Sequence, residues 1–165
     1  MLITAIVCLF GKLHLDGVID VHQDRETPSY FYFIEPLIDW FLLALPLYII
    51  GSNLSISKIR FIDIAGTTAL ARYPIFFVVI LTMVFPSHTN DPQKFINEIQ
   101  NNPGMLLQII LLGLLILPFI VWMTALMFNA FSISANLKGP KAVWSFVASI
   151  LIAEILSKVI FSLLI

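Results

Sequence analysis

Apolar residues in this chain gather into long runs, parted by two short and two long polar connections, and that alternation sets the expected architecture. The clearest run is Ala142 to Ile165, almost wholly apolar to the last residue. A helix needs ~20 such residues to cross a ~30 Å hydrocarbon layer. Comparable runs lie at about 34–50, 62–85 and 105–131. Residues 1–15 form a shorter fifth: Met1 to Phe10 is apolar, but Gly11, Lys12 and His14 follow at once. We read it as the outer part of a first span that begins before Met1; a short or re-entrant helix is the alternative. It has neither the basic start nor the small-residue cleavage site of a signal peptide. Val7 is also too bulky for the position before a lipid-bearing Cys8.

The polar connections supply the punctuation. Pro36 falls in the first turn of the second span, where proline is tolerated, and Gly51-Ser52-Asn53 ends that span. The third span contains Arg72 and Pro74. Residues 16–33 and 86–104 are the long loops, the first closing on the aromatic run Tyr30 to Phe33, which suits a membrane–water interface. In the second, Asp91-Pro92 starts a short amphipathic helix with Phe95, Ile96 and Ile99 on one side. Lys138-Gly139-Pro140-Lys141 is a tight turn into the last span. Short connections predict that spans two and three, and spans four and five, are antiparallel neighbours. The fold class expected is thus all-α, a single transmembrane bundle of five spans with the first one truncated.

Composition agrees. Of 165 residues, 59% are hydrophobic and 12% charged, and mean hydropathy is +0.98; soluble domains carry roughly twice that charge. A net charge of −1 gives no basic footprint for nucleic acid. With Cys8 the sole cysteine, no internal disulfide or thiol cluster can form. The short loops hold Lys58, Arg60, Lys138 and Lys141, whereas the long loops hold Lys12, Arg25 and Lys94 among more acids. The positive-inside rule then puts the short loops and the N-terminus in the cytoplasm and the C-terminus outside, with Trp144 as an inner anchor.

Charges within the spans carry the candidate chemistry. At ~1.5 Å rise per residue, Arg72 lies ~15 Å from the inner start of its span and Glu154 ~18–20 Å beyond Lys141. Lys158 lies one turn further out, at the level of Asp39 by the same rise. Ions at such depths are tolerable when paired. The matched levels predict a seam with two pairs, Arg72 with Glu154 and Asp39 with Lys158, although Lys158 also has the length to snorkel outward. Ser145, Ser149, Ala153 and Ser157 recur every four residues beside the seam, a small-residue stripe that allows close helix approach. Ala65, Gly66 and Ala69 are the expected facing surface. Pro46, Pro74 and Pro118 each put a kink in a span. Such a seam serves either packing and helix register or a solute pathway, and both readings stay open.

Other chemistry is weaker. His14, Asp16, Asp20, His22 and Asp24 have oxygen and imidazole donors in one outer loop, and the polar cluster Asp16, Asp20 and His22 is the candidate for a divalent ion. The His-Glu-x-x-His spacing is missing, and no resident metal or cofactor is expected. All three histidines lie in the outer loops, so no serine of the spans has one at its depth. Asn53-Leu54-Ser55 matches a glycosylation acceptor but falls on the inner side.

Asp16-Gly17-Val18-Ile19-Asp20-Val21-His22, Arg60-Phe61-Ile62-Asp63 with Ala71-Arg72-Tyr73-Pro74, Phe128-Asn129-Ala130-Phe131, and Ala153-Glu154-Ile155-Leu156-Ser157-Lys158 resemble the bacterial branch of the Yip family of five-span membrane proteins. The resemblance covers nearly all of the chain. It implies a five-helix bundle with a cytoplasmic N-terminus. Eukaryotic members are associated with Rab GTPases and vesicle traffic, but this chain lacks their polar N-terminal region, so Rab binding does not carry over. The expectation is a non-enzymatic inner-membrane scaffold or interaction protein, partnered by the lipid bilayer and by another membrane protein or a second copy. A small transporter or channel component using the charged seam is the alternative.

Overall fold

The computed structural model describes residues 1–15, 17–18, 21–23, 28–84 and 92–164. Among these described residues seven helices follow in order: α1 (Leu2–Gly11), α2 (Phe31–Leu54), α3 (Phe61–Ala71), α4 (Ile75–Val84), α5 (Pro92–Asn101), α6 (Pro103–Ser134) and α7 (Gly139–Leu164). Two short strands, β1 (Leu13–His14) and β2 (His22–Gln23), pair antiparallel between α1 and α2. The helical character expected from the sequence is present. Among the described residues four segments are long and apolar enough to cross a membrane: α2, the continuous run of α3 and α4, α6 and α7. That composition is compatible with an integral membrane protein. α1 is apolar but only 10 residues long, about 15 Å at the helical rise.

The helix ends depart from the sequence reading for local reasons. α2 runs past Gly51 to Leu54 because Ser52 Oγ and Asn53 Nδ2 both donate to the Ile49 carbonyl, at 3.0 and 2.9 Å. Their polar side chains bond back to the helix instead of ending it. α6 likewise runs on through Ser132 and Ser134, then stops where Asn136 adopts φ 50° and the Leu137 N–H reaches back to the Ser132 carbonyl. Of the prolines expected to kink a span, Pro46 and Pro118 sit inside continuous helices. Pro74 divides its span. Without an N–H it cannot bond to the Leu70 carbonyl, and the chain tightens to three-residue spacing, Tyr73 to Leu70, Ile75 to Arg72 and Phe76 to Tyr73.

α2 is the central helix, packing against α7 on one side and α3 on the other, while α6 packs on α3 and α4. Trp40 Nε1 donates to the Ala65 carbonyl at 2.8 Å, joining α2 to α3. The expected adjacency of the second and third spans is therefore present. The last two spans differ: α6 and α7 share a tight turn yet touch only slightly, each packing on other helices. The facing surface assigned to the small-residue stripe is also corrected. Ser145, Ser149, Ala153 and Ser157 are all buried, but their helix packs on α2 rather than α3. Gly66 is turned outward, with open space around it. The hydroxyls of Ser145 and Ser149 return to carbonyls four residues earlier, so these side chains act in packing as small bodies.

Candidate functional site

The polar interior is built on one face of α2. Glu35 and Asp39 stand four residues apart, which puts them one above the other on a helix, and they are 1% and 0% exposed. Each is engaged by a different part of the chain. Glu35 Oε1 lies 2.7 Å from His14 Nδ1, and Glu35 Oε2 accepts from the Leu15 N–H at 3.2 Å. The His14 ring also lies against Tyr32, with centroids 4.5 Å apart.

Asp39 forms the second station. Its Oδ1 accepts from the Ser157 hydroxyl of α7, and its Oδ2 lies 3.9 Å from Arg72 Nη2. At that separation the Arg72 contact is an ion pair, outside hydrogen-bond length. Arg72 sits where Pro74 breaks its span and is 3% exposed; its Nη1 has no hydrogen-bond partner among the described residues. Glu154 lies within electrostatic reach of Arg72, but its own carboxylate accepts the Val18 N–H, with Oε2 at 2.8 Å. Lys158 is engaged one turn beyond Glu154.

Of the residues expected in the seam, Arg72, Asp39 and Glu154 come near one another, with a corrected pairing, while Lys158 is exposed on α7. Arg72 takes Asp39 as its direct partner, with Glu154 at longer range. The level assigned to Asp39 is off by one residue along α7: Ser157, the neighbour of Lys158, is the group that faces it. Helical rise fixes depth, but which residue at that depth points inward depends on helix rotation.

Sequence reasoning missed Glu35 and the inward fold of the segment after α1. Leu13, His14, Leu15 and Val18 are buried, and their backbone donors at Leu15 and Val18 end on carboxylates of α2 and α7. A buried backbone N–H needs an acceptor, and here Glu35 and Glu154 supply one each. His14 accordingly lies beside the polar face of a span rather than in a solvated loop. The i, i+4 spacing of Glu35 and Asp39 was the available signal. Asp16 and Asp20 lie outside the described residues, as does the side chain of His22, so the outer-loop polar cluster stays an expectation. Among the described residues no three His, Cys, Asp or Glu side chains gather as a metal site.

A cavity of about 340 Å³ lies beside this region, bounded by α1, α2 and the α3–α4 break. Arg72, Thr4 and Tyr73 are among its polar lining; Leu15, Pro36, Leu70 and Phe76 are among the apolar side chains that complete it. No family model, curated protein or solved structure matches the chain.

Proposed function

We propose that the chain is a multi-spanning membrane scaffold or interaction protein of the Yip-like type, without enzymatic chemistry, in a bacterial inner membrane. In this reading α1 lies in the membrane beside the four long segments, the short loops face the cytoplasm and the C-terminus is outside. Lipid surrounds the bundle, and another membrane protein or a second copy is its partner. The supporting observation is that Arg72, Asp39 and Ser157, from three different helical segments, meet inside the bundle at 3% exposure or less. Groups paired in this way fix helix rotation and register, because a rotated helix would present an unpaired charge to lipid.

A swap of the pair tests it. Arg72→Asp and Asp39→Arg should each abolish folded yield in detergent, and the double swap should restore a large part of it. Normal folding of both single variants would remove the basis of the scaffold reading. The alternative, a small transporter or channel component, draws support from the cavity that reaches Arg72 and from the half-buried Glu154. It would be favoured if those single variants folded and altered proton or cation flux in liposomes.

A further inference from the structure

Four exposed basic residues, Lys58, Arg60, Lys138 and Lys141, come from two loops far apart in sequence. The Asn136 side-chain amide donates to Ser57 Oγ at 3.0 Å, tying the loop between α2 and α3 to the turn between α6 and α7. Beneath the bond the two loops share an apolar floor. A Cβ placed on Gly51 would come within 3.1 Å of Phe131, 3.3 Å of Ala135 and 3.7 Å of Ile59. Ile59 and Leu137 are themselves buried there. The four cations are thus held together on one end of the bundle by fixed backbone. Between residues 51–63 and 131–145 the only acid is Asp63.

This end also carries an apolar collar. Ile56, Ile62, Ile133 and Trp144 are exposed by 105%, 65%, 80% and 72%. Trp144 follows Lys141 by three residues on α7, so ring and ammonium share one helix face. Cations flanked by exposed aliphatic and indole side chains match the combination of phosphate and acyl chain at a membrane surface. A soluble acidic partner would match the charge but leave the collar without a counterpart.

We propose that Lys58, Arg60, Lys138 and Lys141 form a binding surface for the headgroups of anionic phospholipids, with Ile56, Ile62, Ile133 and Trp144 seated among the adjoining acyl chains. The surface is independent of the Arg72–Asp39 interior and does not rest on the scaffold reading. Its attraction is electrostatic, about fivefold in affinity for each cation near an anionic surface.

Trp144 provides the readout. The full chain carrying Trp40→Phe and Trp122→Phe is placed in nanodiscs of phosphatidylcholine with phosphatidylglycerol, one or the other lipid brominated, at equal mole fraction. Brominated phosphatidylglycerol should quench Trp144 more strongly than brominated phosphatidylcholine. The preference should fall in about 1 M NaCl, where the screening length is ~3 Å, and vanish when K58Q, R60Q, K138Q and K141Q are combined. Should the combined variant lose its helical circular dichroism, each substitution is made singly and should lower the preference by up to about fivefold. Equal quenching by the two lipids in the otherwise native protein overturns the proposal, as does a preference unchanged by the substitutions. Equal quenching together with binding of a polyglutamate peptide in phosphatidylcholine discs overturns it in favour of an acidic protein partner.

Discussion

α3–α4 and α6 are both membrane-length helical segments in contact with each other, yet they are used in opposite ways. Half of the most apolar stretch of α3–α4 is buried inside the bundle, against 6% of that of α6. The four long segments follow one rule: the order of increasing hydropathy, α3–α4, α2, α7, α6, is the order of decreasing burial. A water-soluble protein tends to hide its most apolar surface. Here the surroundings expected of such helices are themselves apolar, so Leu and Ile lose little by facing outward, while Arg72, Asp39, Glu35 and Ser157 must be turned inward. Polar groups, more than greasy ones, decide which helices make the centre.

The strongest way to break that contrast is to strip a polar group from α2. Glu35→Leu leaves His14 and the Leu15 N–H without their acceptor in a buried site. At 1–3 kcal/mol for each buried donor that loses this acceptor, the expected loss is about 4 kcal/mol. Reversible unfolding in mixed micelles of dodecylmaltoside and SDS measures it. Glu35→Gln keeps an oxygen acceptor in place and should recover about half of the loss. If Glu35→Leu were neutral, the inward-folded segment would be held by its apolar contacts alone, and the seam would not organise the fold.

The same distinction explains what could be seen in the sequence. The runs that became α2, α6 and α7 stand out by length and hydropathy alone. Arg72, Asp39 and Glu154 stand out because charges inside such runs are rare. Even the stripe of Ser145, Ser149, Ala153 and Ser157 is legible, since it needs only a period of four along one helix. Partnership is another matter. A helix rotated by one residue, about 100°, replaces Lys158 with Ser157 opposite Asp39, and nothing along a single apolar run records its rotation relative to the next. The inward placement of Leu15 and Val18 depends on two carboxylates more than a hundred residues apart in the chain, a correlation that no local pattern carries. Glu35 was legible in principle, one turn before Asp39, although a carboxylate in the first turns of a span can also reach the interface.

A smaller effect is expected where α7 meets α2. Ser149 is fully buried, and its hydroxyl bonds to the Ser145 carbonyl on its own helix. Ser149→Ala should therefore cost less than about 0.5 kcal/mol, because the small body is kept and the carbonyl retains its helical N–H partner. Ser149→Leu adds three carbons to a closed surface and should cost about 1–3 kcal/mol by overpacking. The same unfolding titration separates the two. A tolerated leucine would mean that α7 can stand off from α2, contrary to the close approach that brings Ser157 to Asp39.

The smallest effect belongs to α6. Leu114 is 63% exposed, whereas Leu43 on α2 is fully buried. In detergent or lipid, truncating Leu114 exchanges protein carbon for solvent carbon of the same character, leaving neither a cavity nor an orphaned polar group. Leu114→Ala should change stability by less than about 0.5 kcal/mol, the level of a surface substitution. Leu43→Ala opens a void against neighbours fixed by the seam and should cost about 2–5 kcal/mol. The pair of substitutions removes identical atoms from two apolar helices, so their difference measures how far burial, rather than hydropathy, governs stability here. If Leu114→Ala were as costly as Leu43→Ala, α6 would have a protein neighbour in the micelle, and a second copy would have to be sought along its outer face.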